Sequence, residues 1–111
     1  MVKKTGISAY RLWLEGEVHE SRGDLPGKVQ QRIKKLMDGL AIKPRPYISK
    51  TLDTSGLAVP MQIEIRRLRL ENWRIIYAVN DTEKWVWVLA IRQRPPYNYE
   101  DLTELASRLS K

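Results

Sequence analysis

The 111-residue chain has no cysteine, no phenylalanine and a single histidine. Without cysteine neither a disulfide framework nor a thiolate zinc site can form, and the composition suits a reducing compartment, so a cytoplasmic protein is expected. The lone His19 excludes a histidine-pair ribonuclease mechanism by count. No His/Asp/Glu cluster has the spacing of metal ligands, so no metal and no cofactor are expected. No stretch approaches the ~20 apolar residues of a membrane span. The opening Met1-Val2-Lys3-Lys4-Thr5-Gly6 is basic with no apolar run behind it, which predicts neither export nor membrane insertion. Repeats, low-complexity tracts and linkers are also lacking, so residues 1–111 read as one domain, long enough to fold without crosslinks.

Acidic residues are scarce relative to basic ones. Thirteen Asp and Glu against twenty Lys and Arg give a formal charge of +7, which directs the protein toward polyanions or an acidic protein partner. The aromatic residues are four Trp and five Tyr, side chains that fill cores and can also stack on bases.

Ala9 to Glu15 alternates, with Tyr10, Leu12 and Leu14 on one side, and predicts a first strand. Gly16 to Gly23 is polar and bracketed by glycines, and reads as a loop or one helical turn. Val29, Ile33, Leu36, Met37 and Leu40 then form one apolar helical stripe, with Asp24 suited to cap its start and Lys43-Pro44-Arg45-Pro46 ending it. The basic residues opposite the stripe read as an ordinary solvated face.

Tyr47 to Pro60 has no period and reads as a loop. Met61, Ile63 and Ile65 alternate in one phase and Leu68 and Leu70 in the other, which predicts a bulge at Arg66-Arg67 or a short extended lead followed by the true strand. A tight turn at Glu71-Asn72 leads to a strand over 73–80, and a second turn leads to a strand over 85–92. Both strands are apolar on both faces apart from Arg74 and so belong in the middle of a sheet. Leu102, Leu105, Ala106 and Leu109 predict a terminal helix. The order implies an α+β fold: an antiparallel twisted sheet of about four strands, helices packed on one face, and a C-terminal helix.

Arginine placement is the informative oddity. Arg67 and Arg69 sit opposite the Leu68 and Leu70 face, Arg74 interrupts an apolar strand, and Arg92 and Arg94 end the last one. A guanidinium stays protonated at physiological pH, and its fork matches phosphate bidentately. If these strands are neighbours, a sheet face lined with such groups calls for a phosphate chain or an acidic protein segment.

Several segments resemble the RelE/ParE toxins. Leu25-Pro26 opens a basic helix, followed by Lys43-Pro44-Arg45-Pro46 and Lys50-Thr51-Leu52, in the family's order. Arg67-Leu68-Arg69-Leu70-Glu71-Asn72-Trp73-Arg74-Ile75-Ile76-Tyr77 is similar to the family's "RIRIGNYRIIY" hairpin. Val86 to Arg94, followed by Tyr97 and Tyr99, looks like its closing strand and terminal tyrosines. The resemblance runs from about residue 9 to residue 109.

What the resemblance implies is the toxin of a toxin–antitoxin pair, in its RelE branch an endoribonuclease that cuts mRNA in the ribosomal A site. Its partners would be a cognate antitoxin, the ribosome with its rRNA, and mRNA. Carried over, Arg74 matches the arginine that stabilises the transition-state phosphate and Arg94 the second catalytic arginine. Tyr99, or alternatively Tyr97, matches the tyrosine near the chain end. Lys50, Arg67, Arg69, Arg92 and Tyr97 would bind RNA or phosphate, with arginines at 67 and 69 where well-studied members have lysines. The chemistry needs no metal: a ribose 2′-hydroxyl attacks the adjacent phosphorus while fixed cations stabilise the growing charge. Arginine is a poor proton acceptor, so the general base falls to Tyr99 or Lys50, side-chain types that ordinarily titrate near 10 and need surrounding positive charge to serve. Two rivals remain. The ParE branch shares the fold and poisons DNA gyrase, and a non-catalytic module would use the same basic face only to grip RNA.

Overall fold

The computed structural model describes residues 9–110; the stretch Met1 to Gly6, read as carrying no export or membrane signal, lies outside them. Five segments pair into one sheet: β1 (Arg11–Leu14), β2 (Ser49–Thr51), β3 (Ile63–Leu70), β4 (Trp73–Asn80) and β5 (Trp85–Gln93). Their order is β1-β5-β4-β3-β2. The helices are α1 (Gly16–Gly23), α2 (Gly27–Leu40) and α3 (Leu102–Ser107), the last extended by a 3-10 turn over Arg108–Ser110. No helix among the described residues is long and apolar enough to cross a membrane.

The α+β class, the antiparallel centre and the C-terminal helix follow the sequence reading. The fifth strand was not anticipated. β2 is the polar triplet Ser49-Lys50-Thr51, which carries no alternation; it pairs antiparallel with Leu68, Arg67 and Arg66 and so supplies partners to the backbone groups along that edge of β3. At the other edge β1 runs parallel to β5. The two are far apart in sequence, so no tight turn sets their relative direction.

Both faces of the sheet are covered, which is why β4 is apolar on both sides. On one face Val18 of α1 and Ile33, Met37 and Leu40 of α2 pack on Leu68, Ile75, Tyr77 and Val88. On the other, Leu105 and Ala106 of α3, with Leu109, pack on Ile65, Ile76 and Leu89. The terminal helix therefore does not join the others on one face.

This two-sided cover also moves the bulge. β3 pairs with β4 without interruption from Ile63–Asn80 to Leu70–Trp73, so no bulge occurs at Arg66-Arg67. The change of phase arises because the first half of β3 buries Ile65 toward α3 and the second half buries Leu68 and Leu70 toward α2. The irregularity lies in β5, where Ala90 pairs with Ile76 and Val88 with Tyr77, leaving Leu89 as the extra residue. Strict alternation from Val86 and Val88 would place Arg92 on the α2 face. The extra residue turns it to the α3 face.

α1 is a full eight-residue helix where a loop or single turn was expected. Val18 is its only buried residue, too little to produce an apolar period. Asp24 terminates α1 and does not cap α2. Its expected role is vacant: Pro26 precedes the first turn of α2 with no side-chain cap.

The connection from α2 to β2 is firmly tied. Arg45 reaches Glu64 at 2.8 Å and Asp81 at 2.9 Å, the Tyr77 hydroxyl donates to the Pro44 carbonyl at 2.7 Å, and the Ser49 backbone N–H and hydroxyl both donate to the Pro46 carbonyl. The hydrogen bonds from Arg45 and Tyr10 hold Asp81 below the usual carboxylate range. Burial alone would raise Glu64, but Thr51, Arg45 and Arg66 outweigh it and hold that carboxyl low too.

Truncating either face should cost alike: Ile33→Ala and Leu105→Ala each lose about 3 kcal/mol in urea unfolding. A loss below about 1 kcal/mol for Leu105→Ala would mean that α3 is peripheral. Both depressed carboxylates contribute stability above their ordinary values of 3.8 and 4.5 and lose it as the pH falls. The thermal midpoint should therefore drop between about pH 5 and about pH 3, and less steeply in Arg45→Met.

Candidate active site

Register across the central strands brings the arginines together. Arg74 of β4 lies opposite Arg69 of β3 and opposite Arg92 of β5, so three guanidinium side chains form a row across one face. Two residues further along β3, Arg67 is paired with Lys50 of β2 on the same face. Like charges on directly opposed residues repel; two members of the row escape that cost, and Arg74 does not.

Arg69 is exposed to solvent. Arg92 is neutralised, with Asp101 at 2.9 Å and Glu17 at 3.1 Å. Arg74 has neither relief. It is 8% exposed, and its guanidinium donates to two backbone carbonyls, Glu71 at 2.8 Å and Trp73 at 2.9 Å. Among the described residues no carboxylate pairs with it. Burial, assisted by the charges of Arg69 and Arg67 and opposed by Tyr99, pushes its pKa below the ordinary guanidinium value. The group still carries its charge at neutral pH.

Tyr99 joins Arg74 to Arg94. The Arg94 guanidinium lies 5.4 Å from the Tyr99 ring centroid, and the Arg94 backbone N–H continues the ladder to the Asn72 carbonyl. The Tyr99 backbone sits in the left-handed region at φ 67°, a conformation bulky residues rarely adopt and one that concentrates at functional positions. Its hydroxyl is buried with no hydrogen-bond partner, although it is close enough to Arg74 to favour the charged guanidinium. An unsatisfied hydroxyl beside an unpaired guanidinium is an arrangement that a bound oxyanion would complete.

Of the residues singled out in the sequence, Arg74, Arg94, Tyr99, Arg69 and Arg67 thus share one neighbourhood, with Lys50 at its β2 margin. Arg92 and Tyr97, expected to bind phosphate, have their donors engaged already. The Tyr97 hydroxyl donates to Asp101 at 2.6 Å; burial first, and Asp101 second, push it well above the ordinary tyrosine range. Asp101 and Glu17, which hold this pair, carry no sequence signal that marks them. Further along, Arg108 contacts Glu15 and Glu17 at 3.5 Å, and Trp87 donates to Glu15 at 3.0 Å, so a continuous polar network ties β1, α1, β5 and the chain end. His19 is exposed and lines a separate cavity with Trp13 and Trp87.

A cavity of about 720 Å³ lies between α2 and β3. Leu36, Ile48, Leu68 and Leu70 contribute apolar walls, and Arg32, Lys35 and Lys43 add positive charge. Arg74, Arg94 and Tyr99 do not line it. Its apolar walls and basic rim differ in chemistry from the arginine row, where charge could be stabilised during a reaction.

Residues 18–95 match the family described as ParE toxin of type II toxin-antitoxin system, parDE. No curated protein sequence matches the chain. Solved structures are similar in fold. The toxin of the archaeal RelE-RelB complex from Pyrococcus horikoshii OT3 is 24% identical with a TM-score of 0.69, over 80% of this chain and 99% of that one. The RelBE2 toxin-antitoxin complex of Mycobacterium tuberculosis contains a chain 17% identical with a TM-score of 0.61, over 79% and 94%. Isolated E. coli RelE is 22% identical with a TM-score of 0.55, over 91% and 99%. With the family matched over residues 18–95, this chain belongs to the ParE toxin family of type II toxin–antitoxin systems, and it shares its fold with the RelE structures over about four-fifths or more of its length.

Proposed function

We propose that the toxin is a ribosome-dependent endoribonuclease that cleaves mRNA in the A site by metal-independent attack of a ribose 2′-hydroxyl on the adjacent phosphate. The observation that carries this reading is Arg74, a guanidinium buried on apolar strand β4 without a counter-ion, beside a hydroxyl without a partner. Negative charge develops on the phosphate oxygens in such a reaction, and a fixed cation in a partly dry site stabilises it more than water does. Arg74 and Arg94 hold the phosphate; Tyr99, acting as its phenolate, takes the 2′-hydroxyl proton as the O2′–P bond forms, the P–O5′ bond breaks, and the departing 5′-oxygen takes a proton from water, leaving a 2′,3′-cyclic phosphate and a 5′-hydroxyl. Arg67, Arg69 and Lys50 grip the flanking backbone. Lys50 is the alternative base. Arg92 and Tyr97 act through Asp101, positioning the segment that carries Tyr99.

The same protein would work in the cytoplasm and be held in check by a cognate antitoxin. An acidic amphipathic segment suits the apolar groove between α2 and β3 with its basic rim. The solved structures similar in fold include a RelE-RelB complex and the toxin-antitoxin complex RelBE2.

One observation favours the gyrase-inhibitor reading. The matching family is ParE, and the matched residues end at 95, before Tyr99. The readings separate cleanly. Purified toxin added to translating ribosomes should leave message ends inside A-site codons, and intact messages together with blocked DNA supercoiling would instead establish the gyrase target.

Arg74→Ala should lower cleavage about a hundredfold while ribosome association persists, which a co-sedimentation assay reads directly. If association collapses in parallel with cleavage, Arg74 is a binding residue and the catalytic role is wrong. Tyr99→Phe, which removes only the hydroxyl, should reduce the single-turnover rate by about two orders of magnitude at saturating ribosomes. Unchanged turnover would pass the base to Lys50.

A further inference from the structure

Tyr47 has no packing role. It is 97% exposed, the most open aromatic side chain among the described residues, where Trp13 follows at 41%. Exposed tyrosines are common on mobile loops, but this loop is among the most tied segments of the molecule. On its amino-terminal side Pro44 accepts the Tyr77 hydroxyl and Arg45 bridges Glu64 and Asp81. On its carboxyl-terminal side Ser49 is bonded twice to Pro46, and its hydroxyl also accepts from Arg66 at 2.9 Å. The Arg69 N–H donates to the Ile48 carbonyl, which fixes the loop against β3. The result is a rigid mount that holds an aromatic ring in water.

That ring stands at the edge of the basic face. Tyr47 lines a cavity of about 380 Å³ together with Ile48, Ser49, Lys50, Arg67 and Arg69. Among the described residues neither Lys50, Arg67 nor Arg69 has a carboxylate partner, so three free cations and one free aromatic converge on one open cleft. The cleft adjoins the arginine row through Arg69, which faces Arg74 across the β3–β4 pair. From β2 to β4 is two strand spacings, about 10 Å. A neighbouring nucleotide of one continuous strand spans such a distance.

We infer that Tyr47 is a base-stacking platform for a message nucleotide flanking the one cut at Arg74, with Lys50, Arg67 and Arg69 holding that nucleotide's phosphates. The inference rests on the cleavage reading above and adds a subsite to it. Every base has a π face, so the contact tightens binding with only modest base preference. A tyrosine mounted on a fixed loop loses little conformational freedom on stacking. The ring acts on docking rather than on the chemical step, so its removal is felt in KM.

The test is steady-state cleavage by the full-length toxin on ribosomes programmed with a short defined message. Tyr47→Ala should raise KM about tenfold with little change in kcat, and Tyr47→Trp should restore the wild-type value. Its urea midpoint should equal that of wild type, because the side chain contacts no core. A second arm uses messages with one abasic nucleotide placed in turn at each position flanking the cut. At the stacked position the abasic message should cost wild type the same factor as Tyr47→Ala, and should cost Tyr47→Ala nothing more. Wild-type cleavage with an unaltered KM for Tyr47→Ala would overturn the platform and leave the cleavage reading intact. So would a Tyr47→Ala defect that no abasic position reproduces. Absence of cleavage by the wild-type protein would instead overturn the cleavage reading itself.

Discussion

Side-chain facing in a β-ladder is a discrete choice with a period of two, so backbone register across β3, β4 and β5 decides which charges meet. Arg69, Arg74 and Arg92 form a row because their Cα atoms are paired, and a slip of one residue in any strand would scatter them between the two faces. The uninterrupted β3–β4 hairpin fixes the first pair. The second depends on Leu89: the extra residue turns the end of β5 over and delivers Arg92 and the following Arg94 to the side that carries Arg74. The hydrophobic contacts of α2 and α3 hold this register from opposite sides.

Charge on that row is sorted by pairing. Arg92 is committed to Asp101 and Glu17, and through them to the polar network that anchors α1 and the chain end. Arg74 is left with two carbonyls. A buried cation with no carboxylate partner among the described residues costs stability, which is the physical basis for proposing that an anionic ligand completes this site. The strained backbone at Tyr99 and its unpartnered hydroxyl beside the same guanidinium belong to the same pattern, in which local rules are broken where a ligand completes them. The apolar groove between α2 and β3 has different chemistry, although Arg69 and Glu71 border both it and the arginine row.

The strongest sequence signals were those with a local cause. The apolar stripe of α2, the two turns around β4 and the two-sided apolarity of β4 and β5 each follow from residues close in the chain, and each is seen in the fold. Arg74 was legible because it breaks an apolar run. Features with a distant cause were not legible. β2 exists only because an edge of β3 needs partners, the direction of β1 is set by no neighbouring turn, and α1 is held by one valine and several ion pairs. The apparent phase slip at Arg66-Arg67 was misread for the same reason: two helices on opposite faces each cover half of β3, and one strand read alone cannot distinguish that from a bulge.

Sequence by itself determined the composition of the basic face, the arginines and tyrosines available to it, and the α+β order of elements, because charge and hydrophobic period are properties of the chain. Tertiary structure decided which of those groups remain free. Nothing in the order of residues shows that Arg92 and Tyr97 are claimed by Asp101, that Arg74 meets two backbone carbonyls and, among the described residues, no carboxylate, or that Tyr47 is held clear of every core. Those outcomes depend on which distant groups come within hydrogen-bonding distance, and only the folded backbone sets that.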